Sequence, residues 1–290
     1  MKKLFALVLT LIVTLTACFG MTGCSKDELK GFDIDLAREV AKALDVKVEF
    51  KEIDWDMKEM ELSTNAIDCV WNGFTYTEDR DNGYYDEDRK QQIGGLDFTE
   101  FYMENKQVAV VKKANLASFT SNTSFAGKKG CAEASSAGEK AIIDILKLES
   151  AQLTRQLDVF TAVQAGTYDF GVVDASMASE YIVSEKGTYN DDLAVVDIEG
   201  VEKEYYAIAF REGSNLTAVF NKVMKDLYAD GTAEKVAKEY SLDGVLYNGF
   251  KDVDTTNFAF PTDGDYKQIK DNGKIIIGYT IFAPMAFIAE

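Results

Sequence analysis

Residues 71–80, WNGFTYTEDR, decide the fold prediction for this chain. The apolar run at 66–71 is typical of a buried strand, and the Asn-Gly pair after it indicates a turn. Ligands of open α/β sheets bind beyond the carboxyl ends of the strands. There Gly73 lets the backbone approach a ligand, Thr75 offers a hydroxyl, and Arg80 carries a planar guanidinium suited to a carboxylate. The alternative is a strand followed by a solvent-exposed loop.

Charge and composition exclude several classes of function. The formal net charge of −18 disfavours nucleic acid and anionic lipid headgroups as partners. Because the chain contains no histidine, Ser-His and Cys-His catalysis and histidine-dependent metal sites are excluded. Cys69 and Cys131 lie in apolar runs without a CxxC spacing, so we expect two small buried side chains, no metal site and no cofactor.

The first 23 residues have the pattern of an export signal. Two lysines precede an apolar run at 4–15, which is shorter than the roughly 20 residues of a membrane-spanning helix. Two cysteines then follow small residues, as in lipoprotein signals: Cys18 in Leu-Thr-Ala-Cys and Cys24 in Met-Thr-Gly-Cys. We expect one of them to be lipidated, and the usual signal length slightly favours Cys24. The alternative is that both are ordinary residues of a discarded peptide.

Two later segments also place polar groups next to predicted elements. A strand near 129–134 is followed by a helix start at which Ser136 and Glu139 match a capping box. The backbone N–H groups at Ser136 and Ala137 could bind an anion there, although an ordinary capped helix has the same pattern. Asp174 ends another buried run, where it could bind a cation or cap the following helix.

Two stretches flank the opening motif and extend the pattern. They are GFDIDLAREVAKALDVKVEF at 31–50 and LDFTEFYMENKQVAVVKK at 96–113. Together with residues 71–80, they resemble the extracellular solute-binding proteins (family 3 type) of polar amino-acid ABC transporters. The resemblance extends over nearly everything after about Ser25.

The resemblance implies the fold and the domain organisation. An α/β, two-lobed periplasmic-binding-protein-like fold of type II is expected, with two crossing strands as the hinge. Lobe 1 would comprise 31–105 plus 205–290, and lobe 2 would comprise 107–204. Ligand binding in such a fold favours the closed state because the ligand contacts both lobes.

The resemblance also implies the ligand-binding residues. Arg80 and Thr75 would hold an α-carboxylate, Asp174 would bind the α-ammonium, and Trp55 and Phe282 would enclose the side chain. The full expected set is Trp55, Gly73, Thr75, Arg80, Glu133, Ser136, Ala137, Asp174 and Phe282.

Acidic residues near the expected site bear on specificity. By the resemblance, Glu133 stands where a relative with glutamine specificity has a basic residue, and Asp54 and Asp56 flank Trp55. An acidic rim would repel a second carboxylate. We therefore expect polar or cationic side chains to be preferred over those of glutamate and aspartate.

The order of the segments differs from that of the family. The strand and aromatic turn that normally begin such proteins are missing before Gly31, and residues 274–287 match them instead. We therefore expect the C-terminal segment to supply the first strand of lobe 1, with 243–271 as a linker that forms no element of its own. The order looks like a circular permutation, and a truncated tandem copy is the alternative. A domain-swapped dimer is the rival to the expected monomer.

The sequence therefore predicts a lipoprotein without enzymatic activity that captures a free amino acid outside the membrane and delivers it to an ABC transporter permease. It would be lipid-anchored at the extracellular face, or in the periplasmic space if the cell has an outer membrane. One alternative is an enzyme similar to cyclohexadienyl dehydratase, with acids such as Glu133, Asp54 and Asp56 in its pocket. The other is a ligand-sensing domain.

Overall fold

The computed structural model describes residues 28–86 and 90–289, so the predicted export signal with Cys18 and Cys24 lies outside the described residues. The strands are β1 (Glu28–Lys30), β2 (Lys47–Glu52), β3 (Cys69–Val70), β4 (Tyr84–Asp86), β5 (Gln91–Ile93), β6 (Leu96–Phe98), β7 (Met103–Asn105), β8 (Gln107–Lys112), β9 (Gly130–Glu133), β10 (Ser150–Leu153), β11 (Phe170–Asp174), β12 (Leu193–Val196), β13 (Glu204–Tyr206), β14 (Ala209–Arg211), β15 (Lys274–Tyr279) and β16 (Phe287–Ala289). The α-helices are α1 (Phe32–Ala43), α2 (Lys58–Ser63), α3 (Glu78–Asn82), α4 (Ala137–Lys140), α5 (Gln156–Ala165), α6 (Ala175–Ala178), α7 (Leu216–Ala229), α8 (Thr232–Glu239) and α9 (Gly264–Asn272). Within the described ranges, none of these helices has both the length and the apolarity needed to cross a bilayer.

The first sheet has the strand order β2-β15-β3-β14-β6. The late strand β15 runs parallel to both of its neighbours, and Ile277 lies opposite Phe50 on one side and Cys69 on the other. Ile275 and Ile277 are each 1% exposed, as expected for apolar side chains in a central parallel strand. The prediction that the C-terminal segment supplies a strand of this sheet is therefore confirmed.

Helix α1 covers this sheet because its apolar residues fall on one face. Leu36 and Val40 are four positions apart and buried, and Phe32 completes the stripe. Asp35 in the first turn interacts favourably with the positive end of the helix dipole. The helix begins directly after Gly31.

The second sheet has the order β10-β9-β11-β8-β12. Strands β9, β10 and β11 are parallel, whereas β8 runs antiparallel to both β11 and β12. The valines of β8 are at most 1% exposed, because helices cover both faces of the sheet. Cys69 in the first sheet and Cys131 in this one are buried free thiols, and burial raises the pKa of Cys131 to about 12. Both cysteines thus behave as the small buried side chains that were predicted.

The chain connects the two sheets through an antiparallel pair of short strands. Strand β7 pairs with β13, and Asn105 lies opposite Glu204 in the register. Because the carboxyl ends of β2, β3 and β15 face those of β9 and β11, the residues directly after these strands meet between the sheets. The two-lobed α/β fold of type II is the predicted one.

Two sequence predictions about connecting segments are wrong. The polar, glycine-containing composition of residues 81–95 predicts a surface loop, but β4 and β5 pair antiparallel within this stretch. The linker 243–271 was expected to form no element, but it contains most of α9, whose Tyr266 and Ile269 are buried. These two residues are three positions apart and therefore lie on one face of the helix.

Candidate functional site

A narrow cavity lies between the two sheets, with a volume of about 20 Å³. Roughly 10–15 Å³ is needed to hold one water molecule, so the cavity has room for about one water molecule and not for a larger solute. Its lining consists of Trp55, Asn72, Gly73, Thr75, Arg80, Glu133, Ser136, Ala137, Gln156, Asp174, Thr280, Ile281 and Phe282. The structure thus brings together every residue that was predicted to bind a ligand.

The guanidinium of Arg80 is the main positive group at this cavity. Arg80 lies in the short helix α3, which is capped by the Thr77 hydroxyl, and it is 6% exposed. Its Nη1 donates to the carbonyl of Thr75 at 2.6 Å, and its Nη2 donates to the carbonyl of Ser135 at 3.1 Å. The guanidinium carbon stacks 4.7 Å from the Phe74 ring centroid. The bond to Ser135 joins the two lobes.

In the described part of the chain Arg80 lacks an anionic partner, since the hydrogen bonds of its guanidinium go to carbonyl oxygens. Burial lowers its pKa, and the nearby acids Glu59 and Glu204 oppose that shift. An arginine stays protonated in any case. Nη1 and Nη2 each make one of these hydrogen bonds and each carry two N–H groups. The remaining N–H groups of this buried guanidinium can bind a carboxylate strongly.

Asp174 is the main acid on the opposite lobe. It ends β11 and is 5% exposed. One carboxylate oxygen accepts hydrogen bonds from the Tyr206 hydroxyl at 2.8 Å, from Gln107 Nε2 at 2.9 Å and from Asn105. The second oxygen accepts a bond from Gln156 Nε2, and Asp174 as a whole lines the cavity. Burial raises the pKa of Asp174, so a nearby cation would favour its ionised form.

Glu133 is a second buried acid in the lining, and it is 3% exposed. Burial, together with the charge of Asp174, raises its pKa to about 8. Lys58 lies on the far side of Trp55, with its ammonium 5.0 Å from the Trp55 ring centroid and 3.2 Å from a carboxylate oxygen of Glu59. Its charge is one of the effects that favour the ionised form of Glu133.

Two aromatic side chains form the walls of the cavity. Trp55 packs edge-on against Phe74 at 5.0 Å, and Phe282 packs edge-on against Tyr206 at 6.4 Å. Gly73 lies beside Phe282 with a φ of 58°, and a Cβ at this position would be 2.3 Å from the Phe282 ring. Glycine is therefore required here both by its backbone conformation and by the close approach of the ring.

The helix start at Ser136 has the predicted cap with one difference. The Ser136 hydroxyl accepts a hydrogen bond from the N–H of Glu139 at 3.1 Å. The Glu139 carboxylate, however, accepts from the N–H of Ser135 at 2.7 Å rather than from that of Ser136. Ser135 has a φ of 59°, which turns its carbonyl towards Arg80.

Several lining residues were missed by sequence reasoning. Asn72 donates to the Thr280 hydroxyl at 2.9 Å. Thr280 directly follows β15, and Asn72 lies two residues after the end of β3. Their positions at strand ends could have identified them. Gln156 begins α5, and no motif distinguishes it from an ordinary exposed helix residue.

Comparison with known proteins places this arrangement in a family. The model of the bacterial extracellular solute-binding proteins, family 3, matches residues 12–243. The arginine-binding extracellular protein ArtP of Bacillus subtilis is 27% identical over 74% of this chain and 78% of its own length. A histidine-bound ABC uptake transporter substrate-binding protein from Streptococcus pneumoniae has a TM-score of 0.64 and 27% identity over 75% of this chain and 85% of that one.

A third relative is an ancestral amino acid-binding protein described as a precursor of cyclohexadienyl dehydratase. Its structure has a TM-score of 0.61 and 29% identity over 72% of this chain and 84% of that one. The family match ends before β15, so the strand that completes the first sheet lies outside the matched residues. On the match over residues 12–243, this chain belongs to the bacterial extracellular solute-binding proteins, family 3.

Proposed function

We propose that the cavity binds one free amino acid, which the protein then delivers to the permease of an ABC importer. The observation that carries this proposal is the pairing of opposite charges across the cavity. Arg80, without a carboxylate partner in the described residues, faces the cavity from one lobe, and Asp174 faces it from the other. An α-amino acid carries the two complementary charges on a single carbon.

The contacts of the ligand follow from this arrangement. Arg80 and the Thr75 hydroxyl would bind the α-carboxylate, assisted by the backbone N–H groups of Ser136 and Ala137. Asp174 would bind the α-ammonium together with the Gly73 carbonyl. Because these groups come from both lobes, the bound amino acid stabilises the closed arrangement.

The side chain of the ligand would lie between Trp55 and Phe282, with Glu133 near its end. We propose lobe 1 at 31–105 plus 205–290 and lobe 2 at 107–204, with β7 and β13 as the hinge. Closure would then bring Glu133 from lobe 2 against the walls from lobe 1.

The selectivity for side chains is the first prediction. In a thermal-shift panel of all amino acids and cystine, we expect polar or cationic amino acids to stabilise the protein most. A cationic side chain would pair with Glu133 and favour its ionised form, which burial disfavours in the empty site, whereas a second carboxylate would oppose that form further. Relatives named for arginine and histidine are consistent with this expectation. Glu133→Gln should reduce the preference for cationic over neutral ligands, whereas the exposed control Glu199→Gln should leave it unchanged. The largest stabilisation by glutamate or aspartate would contradict the prediction.

The enzyme alternative has less support from the positions of the acids. Asp54 is exposed, and Asp56 accepts a hydrogen bond from the Ser135 hydroxyl at 2.6 Å. Of the three acids considered for such chemistry, Glu133 alone lines the cavity. We therefore propose binding without turnover, and product formation from prephenate or arogenate would overturn this proposal.

The protein is also proposed to be a lipoprotein at the extracellular face of the membrane. The support is the apolar run at 4–15 followed by Cys18 and Cys24 after small residues. Mass spectrometry of the mature protein should find a diacylglyceryl-modified cysteine at the amino terminus, with Cys24 favoured. An unmodified amino terminus elsewhere would contradict the proposal.

A further inference from the structure

Two pairs of polar residues lie side by side where the hinge joins the cavity. Asn105 and Glu204 face each other in the register of β7 and β13. Gln107 and Asp174 face each other in the register of β8 and β11. One residue separates Asn105 from Gln107 along the chain, so the hinge pair and the cavity pair are in direct contact.

The two amide side chains connect the two acids. Gln107 Nε2 donates to an Asp174 oxygen at 2.9 Å and to Glu204 Oε1 at 2.6 Å. Asn105 Nδ2 donates to the same Asp174 oxygen and to Glu204 Oε1, the latter at 2.5 Å. Each amide therefore uses both of its N–H bonds on the same two carboxyl oxygens. This geometry holds the carboxyl groups of Glu204 and Asp174 next to each other.

The groups around this pair leave its negative charge incompletely balanced. The charged and titratable groups that face it are Arg80 from α3, Glu133 from β9 and the Tyr206 hydroxyl from β13. Burial, and then the neighbouring Asp174 carboxylate, raise the pKa of Glu204 to about 7. Two adjacent carboxyl groups in a buried site tend to share one proton, because both cannot ionise at little cost.

We propose that Glu204 is a positioning residue for the ligand's ammonium, and that the Glu204–Asp174 pair releases a proton when an amino acid binds. This inference rests on the proposed function. The proton is released to the solvent. The ammonium of the ligand stays protonated, and its positive charge then balances the negative charge that the proton had neutralised. Glu204 would act through Asn105 and Gln107 by holding Asp174 ionised and oriented towards the cavity.

The sign of the pH dependence follows from the raised pKa. Below about pH 7 the unliganded protein holds the extra proton, and ligand binding must displace it. Affinity should thus be greatest above pH 7 and should fall by up to about tenfold per pH unit as the pH decreases below it. For Glu204→Gln the affinity between pH 5.5 and 7 should depend much less on pH.

Calorimetric titration in buffers of different ionisation enthalpy measures the released protons directly. We use the amino acid with an uncharged side chain that gives the largest thermal shift, so that no cationic side chain displaces a proton from Glu133. With this ligand we expect the wild type to release about one proton at pH 6. Glu204→Gln should release close to none, and its affinity at pH 8 should fall about tenfold because one of the two negative charges is gone. The exposed control Glu202→Gln should behave as the wild type.

Proton release by Glu204→Gln equal to that of the wild type would overturn the inference. If this variant does not fold, the wild type decides: heats of binding at pH 6 that do not depend on the buffer would also overturn it. An absence of binding to any amino acid at any pH would instead refute the proposed function. Binding without proton exchange would leave the proposed function intact and remove the role of Glu204.

Discussion

Arg80→Ala is expected to weaken amino-acid binding by about 2–5 kcal/mol, which corresponds to an affinity loss of about 30-fold or more. The variant removes the buried guanidinium whose partners in the described residues are carbonyl oxygens, and it leaves the ligand's carboxylate desolvated without a counter-charge. Calorimetric titration of the purified variant measures the loss.

Arg38→Ala is the matched control. Arg38 lies in α1, where it contacts Asp35 and the carbonyl of Leu29 rather than the cavity. The Arg38→Ala variant should bind the amino acid with wild-type affinity. Because Arg80 also bonds to Thr75 and Ser135, circular dichroism must show that the variant is folded. A folded Arg80→Ala protein within threefold of the wild-type affinity would remove Arg80 from the site.

Deletion of residues 272–290 is expected to abolish both cooperative unfolding and ligand binding. Strand β15 lies between β2 and β3, so its loss would leave the backbone groups of both neighbours without partners inside the first sheet. The deletion also removes Phe282, one wall of the cavity. A thermal melt followed by circular dichroism measures the first effect, and titration measures the second.

A substitution in β15, with a control substitution in β16, tests the contribution of β15 without a deletion. Ile277 is 1% exposed in β15, whereas Ile288 is 44% exposed in β16. Ile277→Asn should lower the free energy of unfolding by about 3 kcal/mol, because it buries an amide that lacks partners. Ile288→Asn should change it by less than about 0.5 kcal/mol. For the deletion, a chain without residues 272–290 that still melts sharply and binds with unchanged affinity would show that this segment is dispensable.

The parts of the site that the sequence predicted share one physical basis. Gly73 and Asp174 each lie at the end of an apolar run typical of a buried strand, and strand ends meet at one edge of a sheet. Trp55, Glu133 and Phe282, by contrast, were predicted only from the resemblance to the family. The run of isoleucines before Phe282 likewise required a place inside a sheet, although it lies far along the chain from β2. Local pattern therefore sufficed wherever the functional group is attached directly to a strong strand signal.

Residues whose role depends on contacts between distant segments could not be predicted. Glu204 follows a polar stretch, and its connection to Asp174 exists only because Asn105 and Gln107 come from a segment nearly 100 residues earlier. Lys58 begins a short helix and would be solvated there, but Trp55 and Phe74 bury it completely. Tertiary packing determines the surroundings of Glu204 and Lys58. The hydrophobic periodicity and the turn residues of the sequence do not show which distant segments will contact these side chains.

The central claim is that one amino acid binds through both charges of its α-carbon. Calorimetric titration with the best ligand of the panel, its α-amide and its deaminated acid tests this claim most directly. We predict one site for the free amino acid and an affinity at least about 30-fold lower for each analogue, because the amide has no carboxylate for Arg80 and the deaminated acid has no ammonium for Asp174. Equal affinity for either analogue, or no binding of any free amino acid, would contradict the account.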